Sequence, residues 1–332
     1  MASGNLHLTI AAGDYDRTRA LRDGRVAVDG CDITYLALEP EELFFRAARH
    51  AEFDVCEYSL STYLMQMARG VSRYVAIPVF ISRAFRHSGF YIRTDRGIAS
   101  AADLRGKTIG VPEYQMTASL WQRGLLEDEH GIAAKDIAWR SGGQEQPGRV
   151  ERSPFTPPDW LDLKPIPADR TLSGMLAAGE LDALITARPP SCYLDGAPGV
   201  GRLWPDWRAA EQEYYGRTKM HPIMHLVAIR RELVESHPWL PATLMKAFSQ
   251  AKTLAIGALE RGAALSVTLP WVAAELAETR RVLGPDIWPY GLAASRHEIA
   301  ALIRYSRNQG LIDRDFAPED LFAPSTLATA SV

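Results

Sequence analysis

The sequence predicts an α/β protein of two lobes with a ligand cleft between them. Three observations carry this. Short apolar strand-like runs alternate with amphipathic stretches along most of the 332 residues. The segment from about Ile98 to Arg208 is a self-contained strand–helix–strand set. The chain beyond it resumes the pattern that precedes it, so the set reads as an insertion. The expected division is 1–97 plus 209–332 for a discontinuous first lobe carrying the C-terminal helices, and 98–208 for an inserted second lobe. Ligands of such sheets meet loops at the carboxyl ends of strands and at helix N-termini.

Taken in order, "LHLTIAAG" reads as a first strand and "GCDITYLAL" as a second. "EPEELFFRAARHAEF" places Leu43, Phe44, Ala47 and Ala48 on one helical face. "FDVCEYS" is a buried strand, with Ser59 at the N-cap of the helix that follows. "YVAIPVF" leads into "ISRAFRHSGFYI", read as one half-buried strand. Its alternation puts Arg83, Phe85 and His87 on one face and Arg86 on the solvent side. "KTIGV" and "KDIAWRS" flank the helix "TASLWQRGLLEDEHG", with Thr117 as its N-cap. Residues 142–159 are rich in Gly, Pro and charge and read as a loop, a lid over the cleft. "DALITA" is the next strand, Tyr193 to Met220 are irregular, and the last ~80 residues are helical by apolar periodicity.

Composition narrows the function classes. The 47% hydrophobic and 23% charged content is that of a globular chain with a sizeable core. A net charge of −3 gives no basic footprint for nucleic acid. No run approaches the ~20 apolar residues of a membrane helix. The N-terminus lacks a basic segment followed by an apolar one, so a cytoplasmic location is expected. Cys31, Cys56 and Cys192 are far apart with no CxxC pair, and are expected to be buried free thiols. Self-association into a homo-oligomer is compatible with the sequence, which does not fix it.

Seven segments in order carry a resemblance: "AAGDYDRTRALRDGRV", "FDVCEYSLSTYL", "IPVFISRAFRHSGFYI", "GVPEYQMTA", "ITARPPSCY", "HPIMHLVAIRREL" and "WPYGL". With them the chain resembles the 4,5-dihydroxyphthalate decarboxylase family over nearly its whole length. "ADLRGKTIGVPEYQMTASLWQRGLLEDEHGI" with "LSGMLAAGELDALIT" also resembles the second lobe of type-2 periplasmic binding proteins. The resemblance implies that scaffold, and the conversion of a small aromatic dicarboxylate, 4,5-dihydroxyphthalate, to protocatechuate and carbon dioxide.

That reaction sets a defined chemical problem. Direct loss of carbon dioxide would leave an aryl carbanion. Protonating the ring carbon that bears the carboxylate avoids it, because a para hydroxyl supplies the electrons and becomes a dienone-like oxygen. No cofactor is then required. The site needs a proton donor, a partner for the phenol and a cationic anchor for the second carboxylate. The candidate acid–base residues are His87, Glu113, His221, His225 and Glu57. The candidate substrate-binding residues are Asp14, Arg17, Ser59, Ser82, Arg83, Tyr114, Gln115, Thr117 and Arg188. Arg17 and Arg188 follow strands, where a guanidinium can clamp a carboxylate bidentately. His221 and His225 are four apart, and no HExxH motif is present, so no metal is expected. The aromatic residues Trp288, Tyr290, Tyr214 and Tyr215 read as packing residues that could also stack on a ring.

Two other classes compete with a cofactor-independent carboxy-lyase. One is a solute-binding protein for an aromatic or sulfonated acid, which would need an export leader. The other is a pyrimidine-synthase-type enzyme, whose Cys- and His-rich site features are not evident in this sequence.

Overall fold

The computed structural model describes residues 4–148 and 155–327. In chain order the elements are β1 (Leu6–Ala12), α1 (Asp16–Arg22), β2 (Cys31–Ala37), α2 (Pro40–His50), β3 (Val55–Ser59), α3 (Leu60–Ala68) and β4 (Tyr74–Arg83). Then come β5 (Phe90–Arg93), β6 (Thr108–Val111), α4 (Thr117–His130), β7 (Ala138–Ser141), β8 (Leu163–Pro165), α5 (Leu172–Ala177), β9 (Ala183–Ile185), α6 (Ser191–Leu194), β10 (Val200–Arg202) and α7 (Trp207–Thr218). The chain closes with β11 (Ile223–Arg230), α8 (Arg231–Ser236), α9 (Leu240–Leu259), α10 (Val272–Leu283) and α11 (Leu292–Asn308).

The chain forms two compact units. The first comprises 1–83, 223–299 and 316–332; the second comprises 84–222 and 300–315. The crossings therefore fall at 83/84 and 222/223 rather than at 97/98 and 208/209, and two more at 299/300 and 315/316 place residues 300–315 of the C-terminal helical stretch in the second unit. The physical reason is the pairing of β5, which joins β9 and β10 of the second sheet, so residues 90–93 cannot belong to the first.

The first unit holds a five-stranded sheet of order β2-β1-β3-β11-β4. β1 runs parallel to β2 and β3, whereas β11 runs antiparallel to β3 and β4. The second unit holds a six-stranded sheet of order β10-β5-β9-β6-β7-β8, in which β5 is antiparallel to both its neighbours. Both sheets are mixed, where strand–helix alternation suggests parallel ones. Alternation records crossovers and is blind to a strand that returns from a distant part of the chain.

Local chemistry explains most of the elements. β3 is buried at all five positions, the pattern of a central strand covered on both faces. Ser59 caps α3, its hydroxyl accepting from the Thr62 N–H. α2 begins with Pro40 at its first turn and buries Leu43 and Ala47.

Three expectations need correction. "ISRAFRHSGFYI" is not one strand: "ISR" ends β4, residues 84–86 are irregular, 87–89 form a single 3₁₀ turn, and "FYIR" is β5 in the other sheet. The stretch from Tyr193 to Met220 contains α6, β10 and α7; α7 is capped by the Asp206 side chain but has too little amphipathic contrast to read as a helix. Thr117 is the first residue of α4 and not its cap, because Met116 holds the N-cap position. Within the loop read as a lid, 142–159, residues 149–154 lie outside the described residues.

Candidate functional site

Two sets of polar side chains stand out, one in each unit. In the first unit the site is built between the end of β1 and the middle of β3. Glu57 sits in the middle of fully buried β3, with no exposed surface. A carboxylate there must be hydrogen-bonded, since an unpartnered buried charge is prohibitively costly. It is: His225 donates from Nδ1 to Oε1 at 2.6 Å, the Tyr15 hydroxyl donates to Oε1 at 2.9 Å, and the Gly13 N–H donates to Oε2 at 2.9 Å. Burial by itself would raise the Glu57 carboxyl. The His225 hydrogen bond and charge, then the bonds from Gly13 and Tyr15, outweigh it and hold the group below its ordinary value.

The sheet sets this contact. His225 on β11 lies opposite Ser59 of β3 on one side and opposite Ser82 of β4 on the other. The Phe44 ring meets the imidazole edge-on with centroids 4.7 Å apart. The His225 side chain keeps 19% of its surface exposed, and Nε2 has no hydrogen-bond partner among the described residues. The ring is thus fixed by one nitrogen and available through the other, the arrangement of an oriented acid–base histidine.

The loop after β1 completes the site. Tyr15 folds back over Gly13 so closely that a Cβ there would lie 2.5 Å from the phenol ring, which is why the position takes glycine. Burial, then the Glu57 charge, raise the Tyr15 phenol, and burial pushes Tyr35 up to about 12, so both stay neutral. The Arg17 guanidinium lies between two rings, 4.2 Å from the Tyr15 centroid and 4.4 Å from that of Trp288. Its Nε donates to the Ile81 carbonyl at 2.6 Å and Nη1 lies 3.3 Å from Asp16 Oδ1. The remaining N–H groups have no partner among the described residues.

Other residues proposed from sequence for this region lie elsewhere or are already engaged. Asp14 is exposed and pairs with Arg22 at 2.8 Å and Arg19 at 3.9 Å, so it acts as a surface turn residue. Arg83, expected on a ligand-facing side, is wholly buried. It donates to Glu298 Oε1 at 3.0 Å, to the Ser295 hydroxyl at 2.6 Å and to the Pro289 carbonyl at 3.0 Å.

In the second unit, His87 is buried and packs against Trp204 and Tyr214, with centroids 4.9 and 5.2 Å away. Burial, then the charges of His130 and Arg217, lower the imidazole to about 4. Packed this way the ring is held in its neutral form near pH 7, which does not support the imidazolium donor expected of it. Arg86, expected to face solvent, is half-buried, and burial pulls it down to about 10. Beside it is Glu211, which sequence reasoning misses because α7 does not read as a helix. Burial pushes this carboxyl up to about 7, against the pull of the Ser88 and His87 N–H groups and of Arg86 and Arg202.

Glu113 is buried and accepts from Gln115 Nε2 at 2.7 Å. Tyr114 is a packing residue: its ring stacks on Phe155, the Arg123 guanidinium lies 3.7 Å from its centroid, and its hydroxyl donates to the Gln309 carbonyl. Thr117 is buried at the start of α4. Arg188 is exposed, its backbone N–H donating to the Thr186 hydroxyl. His221 stacks on Phe85 at 4.7 Å, in a different unit from His225. Pro222, between the histidines, lies at the crossing, so their spacing of four has no helical meaning. Among the described residues no group of three or more His, Cys, Asp or Glu side chains is placed to hold a metal ion, and no helix is long and apolar enough to cross a membrane.

Comparison with known proteins identifies the family. No family model matches the chain. A protein named 4,5-dihydroxyphthalate decarboxylase from Comamonas testosteroni is 46% identical over 327 residues, covering 98% of this chain and 99% of that one. A second of the same name, from Pseudomonas putida, is 52% identical over 210 residues, covering 63% of this chain and 81% of that one. Among solved structures, a periplasmic sulfonate-binding protein, SsuA from Methylobacillus flagellatus, superposes with a TM-score of 0.58 at 14% identity, covering 98% of this chain and 93% of that one. That likeness shows the fold, a periplasmic-binding-protein scaffold. Near-complete coverage at 46% identity shows more: the chain belongs to the 4,5-dihydroxyphthalate decarboxylase family.

Proposed function

We propose that the protein is a carboxy-lyase that converts 4,5-dihydroxyphthalate to protocatechuate and carbon dioxide, and that the Glu57–His225–Arg17 site of the first unit carries the reaction. The observation that supports it most is the buried carboxylate–imidazole pair, fixed at one ring nitrogen and open at the other, beside a ring-stacked arginine. The names of the relatives favour this reading over a solute-binding role. The three cysteines are free and buried, in keeping with work in a reducing compartment such as the cytoplasm.

Arg17 takes one carboxylate of the substrate. His225, protonated on both nitrogens, delivers the Nε2 proton to the ring carbon bearing the other, while the Glu57 carboxylate faces the charge on the imidazole. The para oxygen releases its proton to water as it becomes a carbonyl. The carbon–carbon bond then breaks, its electron pair restores the aromatic ring, and the oxygen regains a proton. The net change is one proton taken up and one carbon dioxide released, with the substrate's own ring as electron sink.

The test is direct. Purified protein incubated with 4,5-dihydroxyphthalate should release carbon dioxide and form protocatechuate at the same rate with and without chelator. Tight binding without turnover would reject the enzyme reading, and loss of activity with chelator would reject the metal-free mechanism.

A further inference from the structure

Tyr290 is buried, and its hydroxyl has no hydrogen-bond partner among the described residues. A buried phenol normally finds one, because the unmade bond is a standing penalty. Here the position is also held rigidly. Preceding it, the Pro289 carbonyl accepts from Arg83; following it, the Gly291 N–H donates to the Pro78 carbonyl at 2.8 Å. Trp288, two residues back, donates its indole N–H to the Phe80 carbonyl at 2.9 Å, and Arg17 donates to the next carbonyl of the same strand, that of Ile81. Successive carbonyls of β4 thus fix both Arg17 and the 288–291 segment. Lys252 Nζ sits 4.8 Å from the centre of the Tyr290 ring. Trp288 also lies 4.4 Å from the Arg17 guanidinium, so the segment that carries the phenol borders that cation, and the charges of Arg17 and Arg83 act on the phenol.

We infer that Tyr290 is a substrate-binding residue whose hydroxyl, together with the unpartnered N–H groups of Arg17, takes one carboxylate of an aromatic dicarboxylate. Burial raises the phenol, so it stays neutral and donates. A rigid neutral donor beside a stacked cation discriminates better than a second cation would. It holds a carboxylate in one plane, and an analogue lacking that group leaves it unsatisfied. The choice of ligand rests on the decarboxylase reading; the placement of the donor does not.

The experiment uses phthalate, which has both carboxylates and neither hydroxyl, as a non-reacting probe. Titration calorimetry on the full chain should show Tyr290→Phe binding phthalate about tenfold more weakly than wild type, the loss expected for one hydrogen bond to a charged group. kcat/KM for 4,5-dihydroxyphthalate should fall in step, while the melting temperature stays level or rises, because the variant removes a buried unpaired hydroxyl. A structural role alone would lower the melting temperature and leave phthalate affinity intact. Should the variant fold poorly, wild-type chain carrying 3-fluorotyrosine at position 290 gives the same answer: its fluorine resonance should shift on phthalate addition, and an unmoved resonance overturns the inference. Wild-type phthalate affinity in Tyr290→Phe, with turnover of dihydroxyphthalate in the wild type, overturns the Tyr290 assignment alone. Tyr290-dependent phthalate binding without carbon dioxide release overturns the decarboxylase reading alone.

Discussion

His225 donates from Nδ1 to Glu57 Oε1 at 2.6 Å, across two antiparallel strands that meet 168 residues apart in sequence. The pair is satisfied on the carboxylate side by three donors and on the imidazole side by one, so among the described residues the uncommitted polar atom of the two is the histidine Nε2. The pair therefore behaves as one unit. Glu57→Gln replaces an acceptor-only group with one that must present an amide N–H to a donor. It should lower kcat by about 10²–10⁴-fold, the range for losing an oriented acid–base group, and cost about 1–3 kcal/mol of stability through an unsatisfied buried donor. Carbon dioxide release and a denaturant titration measure the two effects. Unaltered turnover would remove the pair from the chemistry.

Arg17 tests anchoring separately from chemistry. Lysine keeps the charge but loses the planar face that fits between Tyr15 and Trp288 and the second row of donors. Arg17→Lys should raise KM by about tenfold or more, as expected for losing a bidentate, stacked contact, with a smaller change in kcat. Steady-state kinetics decide it; a fall in kcat at constant KM would place Arg17 at the reacting atoms.

His87 tests the assignment of the proton. Its lowered value means that the folded state resists protonation. The stability it contributes is present above the ordinary histidine value of 6.5 and is lost as pH falls through about 4. His87→Phe keeps the packing against Trp204 and Tyr214 and cannot be protonated. It should retain kcat within a few-fold and soften acid unfolding between pH 6.5 and 4. A large loss of turnover would return His87 to the site.

Glu211 gives the opposite sign. Its carboxyl is raised, so its stabilising contribution is complete below the ordinary value of 4.5 and is lost as pH climbs through about 7. The groups facing it are Arg86, Arg202 and the N–H groups of His87 and Ser88. Glu211→Gln should match wild type at pH 4.5 and exceed it by about 2 kcal/mol at pH 8, a figure kept below the full proton-linkage energy because solvent screens part of the charge. Melting curves across that range read it, and parallel profiles for the two proteins would refute it.

The sequence carries the parts of this site that are local. Glu57 on a buried strand, Ser59 as a cap and Arg17 just beyond β1 follow from residue type and neighbours within a few positions. What it hides is distant pairing. Nothing near Arg83 announces Glu298, 215 residues away, so a strand arginine looks like a ligand-facing charge. His221 and His225 look like a pair until Pro222 is seen to sit where the chain passes from one unit to the other. The alternation through "ISRAFRHSGFYI" is genuine at both ends, but a period-two pattern continues across a break without showing that it joins two different sheets. Tyr15 escapes a reading of the sequence for a simpler reason: its value as a donor to Glu57 depends on the absent Cβ of Gly13, a steric fact and not a compositional one.

The close approach of Tyr15 to Gly13 has a wider use. Within five residues, Gly13 gives an N–H to the carboxylate, Tyr15 gives it a hydroxyl, and Arg17 lies on the Tyr15 ring. Glycine, tyrosine and arginine at alternate positions after the first strand thus form a cassette of touching groups that meets the buried acid in the middle of the third strand. A side chain at position 13 would displace the Tyr15 ring, and with it both the hydroxyl that Glu57 accepts from and the face on which Arg17 lies, so one absent Cβ holds the carboxylate and the guanidinium in a single arrangement.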